Sequence, residues 1–160
     1  MKKSFLAAVI ALAVAAPAYF AFAADDFAFK SQIEGRQAFM QLYRFNISIL
    51  GGMARGDVEY DAAAASAAAN NLLVASKMDN GAMWPMGSHT EAPGLADVTA
   101  AKETAWSSYP NIAEKGKDLT EALTTMAAVA GDGLEPLRSN MGAVGNGCKG
   151  CHKNYRLSRD

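Results

Sequence analysis

Residues 27–55 read FAFKSQIEGRQAFMQLYRFNISILGGMAR. Ile33, Met40, Ile47 and Ala54 recur every seventh residue, and Arg36, Tyr43 and Leu50 fill the intermediate seam position. An α-helix turns once in about 3.6 residues, so steps of three and four keep one stripe on one side. The stripe predicts a bundle helix from Phe27 to Arg55, weakened at Gly51-Gly52 and ended at Gly56-Asp57.

Three more helical stretches follow. Asp61 is a good N-cap for Ala62 to about Met78, an alanine-rich segment that would let neighbours approach closely. Asp79 to about Ala96 is rich in breakers and reads as a loop, with Met83, Trp84 and Met86 expected to pack onto something apolar. A short helical turn is expected around Val98 to Glu103. Pro110 suits the first turn of a third helix, which Gly131-Asp132-Gly133 stops. Pro136 then starts a fourth, with Leu137, Met141, Val144, Cys148, Cys151 and Tyr155 on one side. Strand patterns are absent, so the expected fold is all-α, an antiparallel four-helix bundle in one domain.

Composition narrows the function. Of 160 residues, 51% are hydrophobic, and 15 basic against 16 acidic residues leave a net charge of −1, with no basic excess to hold a nucleic-acid backbone. The scattered glycines are read as carrying no phosphate-binding fingerprint, and two cysteines make no disulfide scaffold. Lys2 and Lys3, the apolar run Phe5 to Ala15 and the small residues of Ala21-Phe22-Ala23 together form an export signal, cleaved after Ala23 or, as second choice, Ala18. The competing reading is an N-terminal membrane anchor. Cleavage leaves residues 24–160 as the mature domain with a net charge of −3, which hints at a basic partner surface. The simple signal looks bacterial and places the chain in the oxidising periplasm, where two cysteines must be engaged.

The chemistry gathers in Cys148-Lys149-Gly150-Cys151-His152, a CxxCH motif holding both cysteines and one of two histidines. Two thiols one helical turn apart can each add to a vinyl group of haem, and the next residue projects an imidazole at the iron from the same side. The pattern reads as attachment of one haem c, with His152 as proximal ligand. A thioredoxin-like redox pair, a structural zinc site and a plain disulfide are the competitors. His89, in a polar loop, is read as solvated.

Arg36, Met40 and Tyr43 share a face of the first helix. Arg36 on an apolar seam needs a partner: a haem propionate would serve, or the side chain snorkels to solvent. Met40 is open to two readings. As a thioether ligand it would make six-coordinate iron suited to electron transfer; as an apolar lid it would leave the iron five-coordinate.

Several segments resemble the class II c-type cytochromes, the cytochrome c-prime family and its low-spin relatives in proteobacteria. Arg36-Gln37-Ala38-Phe39-Met40 is similar to that family's RQxxL/M segment, and Met53-Ala54-Arg55-Gly56 with Tyr60-Asp61-Ala62 to its MAxGxxxYDA turn. Trp84-Pro85-Met86-Gly87-Ser88 resembles its WPxGS/T loop, and Gly147-Cys148-Lys149-Gly150-Cys151-His152 its terminal CKxCH. Glu103 to Ser108 follows the family's PEIWSD segment only loosely. The resemblance implies a left-handed four-helix bundle with one haem c held by Cys148 and Cys151, with His152 proximal, Arg36 and Gln37 lining the pocket, and Met40 distal. It implies one-electron exchange with periplasmic redox proteins or, in the c-prime branch, binding of NO or CO. It also implies a homodimer through the first two helices, with Phe39, Leu42 and Ile49 either on that surface or finishing the core. No nucleophile–base pair points to an enzyme.

Overall fold

The computed structural model describes residues 27–109 and 111–158. The export signal expected at residues 1–23, and Pro110, lie outside the described residues. The helices are α1 Lys30–Arg55, α2 Ala62–Ser76, the single turn α3 Thr104–Ser107, α4 Asn111–Val129 and α5 Leu134–Tyr155, with a 3₁₀ turn at Gly81–Met83. The described residues contain no strand, only an isolated bridge between Ala101 and Arg156.

Helices α1, α2, α4 and α5 form a four-helix bundle in which α1 and α4 each pack on both α2 and α5. Its hub is Leu50, Leu72, Leu123, Met126, Leu137 and Val144, closed on the α2 side by Ala65, Ala68 and Ala69. Each large side chain so buried contributes about 1.5–3 kcal/mol. The alanines bring α2 near its neighbours at no side-chain entropy cost.

Helix ends follow local chemistry. The Asp61 carboxylate accepts from the Ala64 N–H at 2.8 Å. Gly56 ends α1 in the left-handed region, φ 81°, which glycine enters without penalty. The two turns at one end of the bundle are joined by Tyr60, whose hydroxyl donates to the Ala130 carbonyl (2.8 Å) and accepts from the Gly133 N–H (3.0 Å). Arg138 Nε donates to the Ala54 carbonyl at 2.7 Å. These ties gather the end of α1, the start of α2, the end of α4 and the start of α5, which makes the bundle antiparallel. Tyr60→Phe deletes both hydroxyl bonds. It is expected to cost about 1–2 kcal/mol, read as a lower urea midpoint at unchanged m value.

Four sequence expectations need correction. Helix α1 starts at Lys30, after Phe29 at φ 60°, rather than at Phe27. Helix α5 starts at Leu134, with Pro136 inside its first turn, where a missing N–H breaks no intrahelical bond. The short helical turn falls at Thr104–Ser107 instead of Val98 to Glu103. The earlier backbone is committed elsewhere: Ala100 and Ala101 carbonyls accept from Leu157 and Thr90, and the Lys102 N–H donates to Tyr155. Finally, Gly145, Gly147 and Gly150 do spell G-x-G-x-x-G, yet they sit inside α5, not at a strand-to-helix turn, so they form no phosphate cradle.

Candidate functional site

Arg36 is 3% exposed, so the solvent-snorkelling reading is excluded. Burial pushes its pKa down, and the charge is held by hydrogen bonds. Nη1 donates to Ser88 Oγ (2.7 Å) and more weakly to the Met83 carbonyl (3.4 Å). Nη2 donates to the Ser88 carbonyl and to Thr99 Oγ1 (2.7 Å). The guanidinium also lies 4.9 Å from the Trp84 ring centre and 5.8 Å from that of Trp106. Trp106 Nε1 in turn donates to the Trp84 carbonyl at 3.0 Å. In this structure the partner of Arg36 is thus the loop between α2 and α4. Gln37, exposed, adds a second tie, its Nε2 donating to the Val98 carbonyl at 2.7 Å.

The loop so anchored roofs a cavity of about 940 Å³. Phe39, Met40 and Tyr43 come from α1, Ile112 and Leu119 from α4, and Trp84 and Trp106 from the loop side. Cys148, Cys151 and His152 come from α5. The cavity therefore unites four of the six residues expected to serve a haem, while Arg36 and Gln37 act one layer out, through the loop. Met83 packs toward Gly35, as expected, but Met86 is 72% exposed at the rim. Met40 itself is 41% exposed, and the buried seam passes through Phe39 instead. The reason is the cavity: at Met40 α1 faces open space rather than a packed neighbour.

The chemistry of the three α5 groups is legible from burial. Both thiols are free. Burial raises the pKa of each, and Cys148 raises that of Cys151 further. A redox-active CxxC requires a lowered thiol pKa, so the thioredoxin-like reading is disfavoured. His152 stands exposed at the cavity rim, and partial desolvation, then the Arg156 charge, pushes its pKa below the ordinary imidazole value, which favours the neutral form that can bind a metal. Burial, then proximity to Cys148, pushes the Tyr43 phenol up to about 12. Among the described residues no group of three or more His, Cys, Asp or Glu is placed to hold a metal ion. His89 is not simply solvated: its Nδ1 lies 3.2 Å from Glu91 and its ring 6.0 Å from that of Trp106.

Sequence reasoning gave no role to Ser88, Thr99 or two glycines, although Ser88 and Gly147 lie inside the motif segments. Gly116 and Gly147 line the cavity. A Cβ on Gly147 would meet the Leu119 Cα at 3.0 Å, so glycine lets α4 lie close to α5 beside Cys148 where a larger residue would push the helices apart by a few tenths of an ångström. For Gly147 the signal was present, since a glycine inside a helix costs about 1 kcal/mol against alanine and calls for a packing reason; at Gly116 a Cβ would meet nothing within 4 Å.

Two thiols one turn apart, an imidazole beside them and an apolar-walled cavity fit a covalently held haem c. Comparison with known proteins agrees. The family described as Cytochrome C' matches residues 31–156. Cytochrome c-554 of Cereibacter sphaeroides is 37% identical over 78% of this chain and 91% of its own length. Cytochrome c' of Cereibacter sphaeroides is 33% identical over 99% of this chain and 100% of its own. The solved structure described as cytochrome c' from Rhodobacter Spheriodes superposes with a TM-score of 0.77 at 31% identity, covering 83% of this chain and all of that one. The chain belongs to the cytochrome c' family, whose cofactor is haem c.

Proposed function

We propose that the chain is a periplasmic one-electron carrier rather than an enzyme. Cys148 and Cys151 would hold its single haem c, His152 would be the proximal iron ligand, and Met40 would lie across the cavity. The observation that carries this reading is that Met40 lines the same cavity as the CxxCH side chains. Bound there, haem supplies a reversible ferric–ferrous step. The protein does the rest. Cys148 and Cys151 fix position, α5 supplies the imidazole, and Phe39, Ile112 and Leu119 keep water from the walls. Tyr43 stays protonated and adds no charge near the iron. Arg36 and Gln37 hold the roof, so Trp84 and Trp106 keep their places. Export follows from the basic start and small-residue cleavage site of residues 1–23. The homodimer reading retains a surface, since Leu42 and Phe45 on α1 are 43% and 63% exposed, whereas Phe39 is buried.

The exposure of Met40 favours one further reading. A side chain not packed in place can stand aside, leaving five-coordinate iron that takes NO or CO. The visible spectrum of the Met40→Ala protein separates the two. Conversion of low-spin to high-spin iron, with loss of the methionine–iron charge-transfer band, is expected for the carrier. A high-spin parent that binds CO, unchanged in the variant, overturns Met40 as ligand and supports gas binding.

A further inference from the structure

The acidic excess of this chain is not spread evenly. At the end tied by Tyr60, Asp57, Glu59, Asp61, Asp132 and Glu135 meet only Arg55 and Arg138. Both arginines are already paired, Arg55 with Asp57 at 2.7 Å and Arg138 with Glu135 at 3.0 Å. Glu59, Asp61 and Asp132 remain as surplus.

The cavity end has the opposite sign. Lys149, Lys153 and Arg156 follow one another at spacings of four and three, all exposed. None of the three is in an ion pair among the described residues. Lys102 is drawn beside them by its backbone bond to the Tyr155 carbonyl, 2.9 Å. Of the nearby acids, Asp118 pairs with Lys115 at 2.8 Å, while Glu103 accepts a neutral hydroxyl from Ser107 at 2.8 Å and keeps its charge. Among the described residues, Glu114 on the first turn of α4 and Asp79 on the cavity rim add carboxylates with no ion pair. Successive helical residues turn by roughly 100°, so Lys149, Lys153 and Arg156 share one stripe to one side of the face that carries Cys148, Cys151 and His152. Further along α5, Gly142, Ala143, Gly145 and Asn146 are exposed and small, leaving no bulky side chain to hold off a partner.

Cations near a helix C-terminus also complement its dipole, but that effect fades within the last turn. Lys149 stands earlier than that turn, and Lys102 is not on α5.

We propose that Lys149, Lys153, Arg156 and Lys102 form the docking surface for an acidic redox protein. This deepens the carrier reading, rests on it, and reverses the partner charge that net charge alone implies. In the exchange one electron leaves at this face and the partner's oxidised centre gains it; no bond forms or breaks and no proton moves.

The test is stopped-flow oxidation of the ferrous, haem-loaded protein, using ferricyanide as anionic probe and tris(phenanthroline)cobalt(III) as cationic probe. Ionic strength is raised from about 0.01 M to about 0.15 M, which shortens the screening length from about 30 Å to about 8 Å. The ferricyanide rate is expected to fall severalfold and the cobalt rate to rise. The Lys149→Glu/Lys153→Glu/Arg156→Glu variant should lose about tenfold in the low-salt ferricyanide rate and invert both slopes. Glu59→Lys/Asp132→Lys, at the far end, should leave the signs unchanged. The milder Lys149→Gln/Lys153→Gln/Arg156→Gln set, with unaltered circular dichroism, should shift the slopes in the same direction if the reversal variant does not fold. Slopes signed by the total negative charge, or unmoved by the α5 changes, overturn the docking surface while the carrier reading stands. A purified chain with no haem absorbance overturns both.

Discussion

Replacing Cys148 and Cys151 together by serine is expected to yield a chain at its unmodified polypeptide mass, with no haem stain surviving SDS denaturation. Both thiols are free, half-buried and directed to one cavity, and no other cysteine exists in the chain to take over. A serine hydroxyl does not form the thioether. Single substitutions should each keep one covalent link, so their mass stays that of the haem-bearing chain. The double variant should also be less stable. The cavity of about 940 Å³ divides α1 from α4 and α5, and Phe39, Ile112 and Leu119 would lose the contacts that a held group gives them. For a domain of this size each kcal/mol lost moves the melting temperature by about 4 °C. A fall of about 10 °C or more in a circular-dichroism melt is therefore expected. Covalent haem retained by the double variant would refute the attachment sites.

What the sequence disclosed and what it withheld divide along the range of the interactions involved. The seam of α1, the Asp61 cap, the Gly56 stop and the apolar face of α5 are properties of a few consecutive turns. Periodicity and capping preference therefore revealed them. The CxxCH chemistry was legible for the same reason, since its three groups lie within five residues. The partners of Arg36 were not, because Ser88 and Thr99 lie 52 and 63 residues away and only the folded loop delivers them. Met40 was placed on the correct helix, but its exposure depends on a space that three helices leave between them. The charge division was equally hidden. Net charge is a sum over the chain, whereas the separation of acidic and basic ends follows from which helix termini meet. The stretch from Ala100 to Lys102 went astray because its backbone bonds to Thr90, Tyr155 and Leu157 override local helix preference.

Arg36→Leu should be the most damaging single change at the site, costing about 3–5 kcal/mol in chemical denaturation. The estimate counts partners, not charge. The buried Ser88 carbonyl would lose its guanidinium donor, at about 1–3 kcal/mol for an unsatisfied group, while Thr99 Oγ1 would keep its contact with the Ala101 N–H and the part-buried Met83 carbonyl would lose a weaker bond. Thr99 and Ser88 are 3% and 0% exposed, so water does not readily replace the guanidinium. The contacts with Trp84 and Trp106 add about 0.5–2 kcal/mol. A leucine restores some apolar contact, which caps the loss. Arg36→Lys is the sharper variant because it keeps the charge. Its ammonium is a point donor on a flexible stem and cannot span Ser88 and Thr99 as the planar fork does. It should recover less than half of the lost stability. Both variants should red-shift the tryptophan fluorescence, because Trp84 and Trp106 are the only tryptophans and both lean on Arg36. Ser88→Ala removes a single hydroxyl partner and should cost only about 1–2 kcal/mol. If Arg36→Lys matched the parent in both stability and fluorescence, charge rather than the fork would hold the roof. The loop would then owe its position to contacts other than these hydrogen bonds.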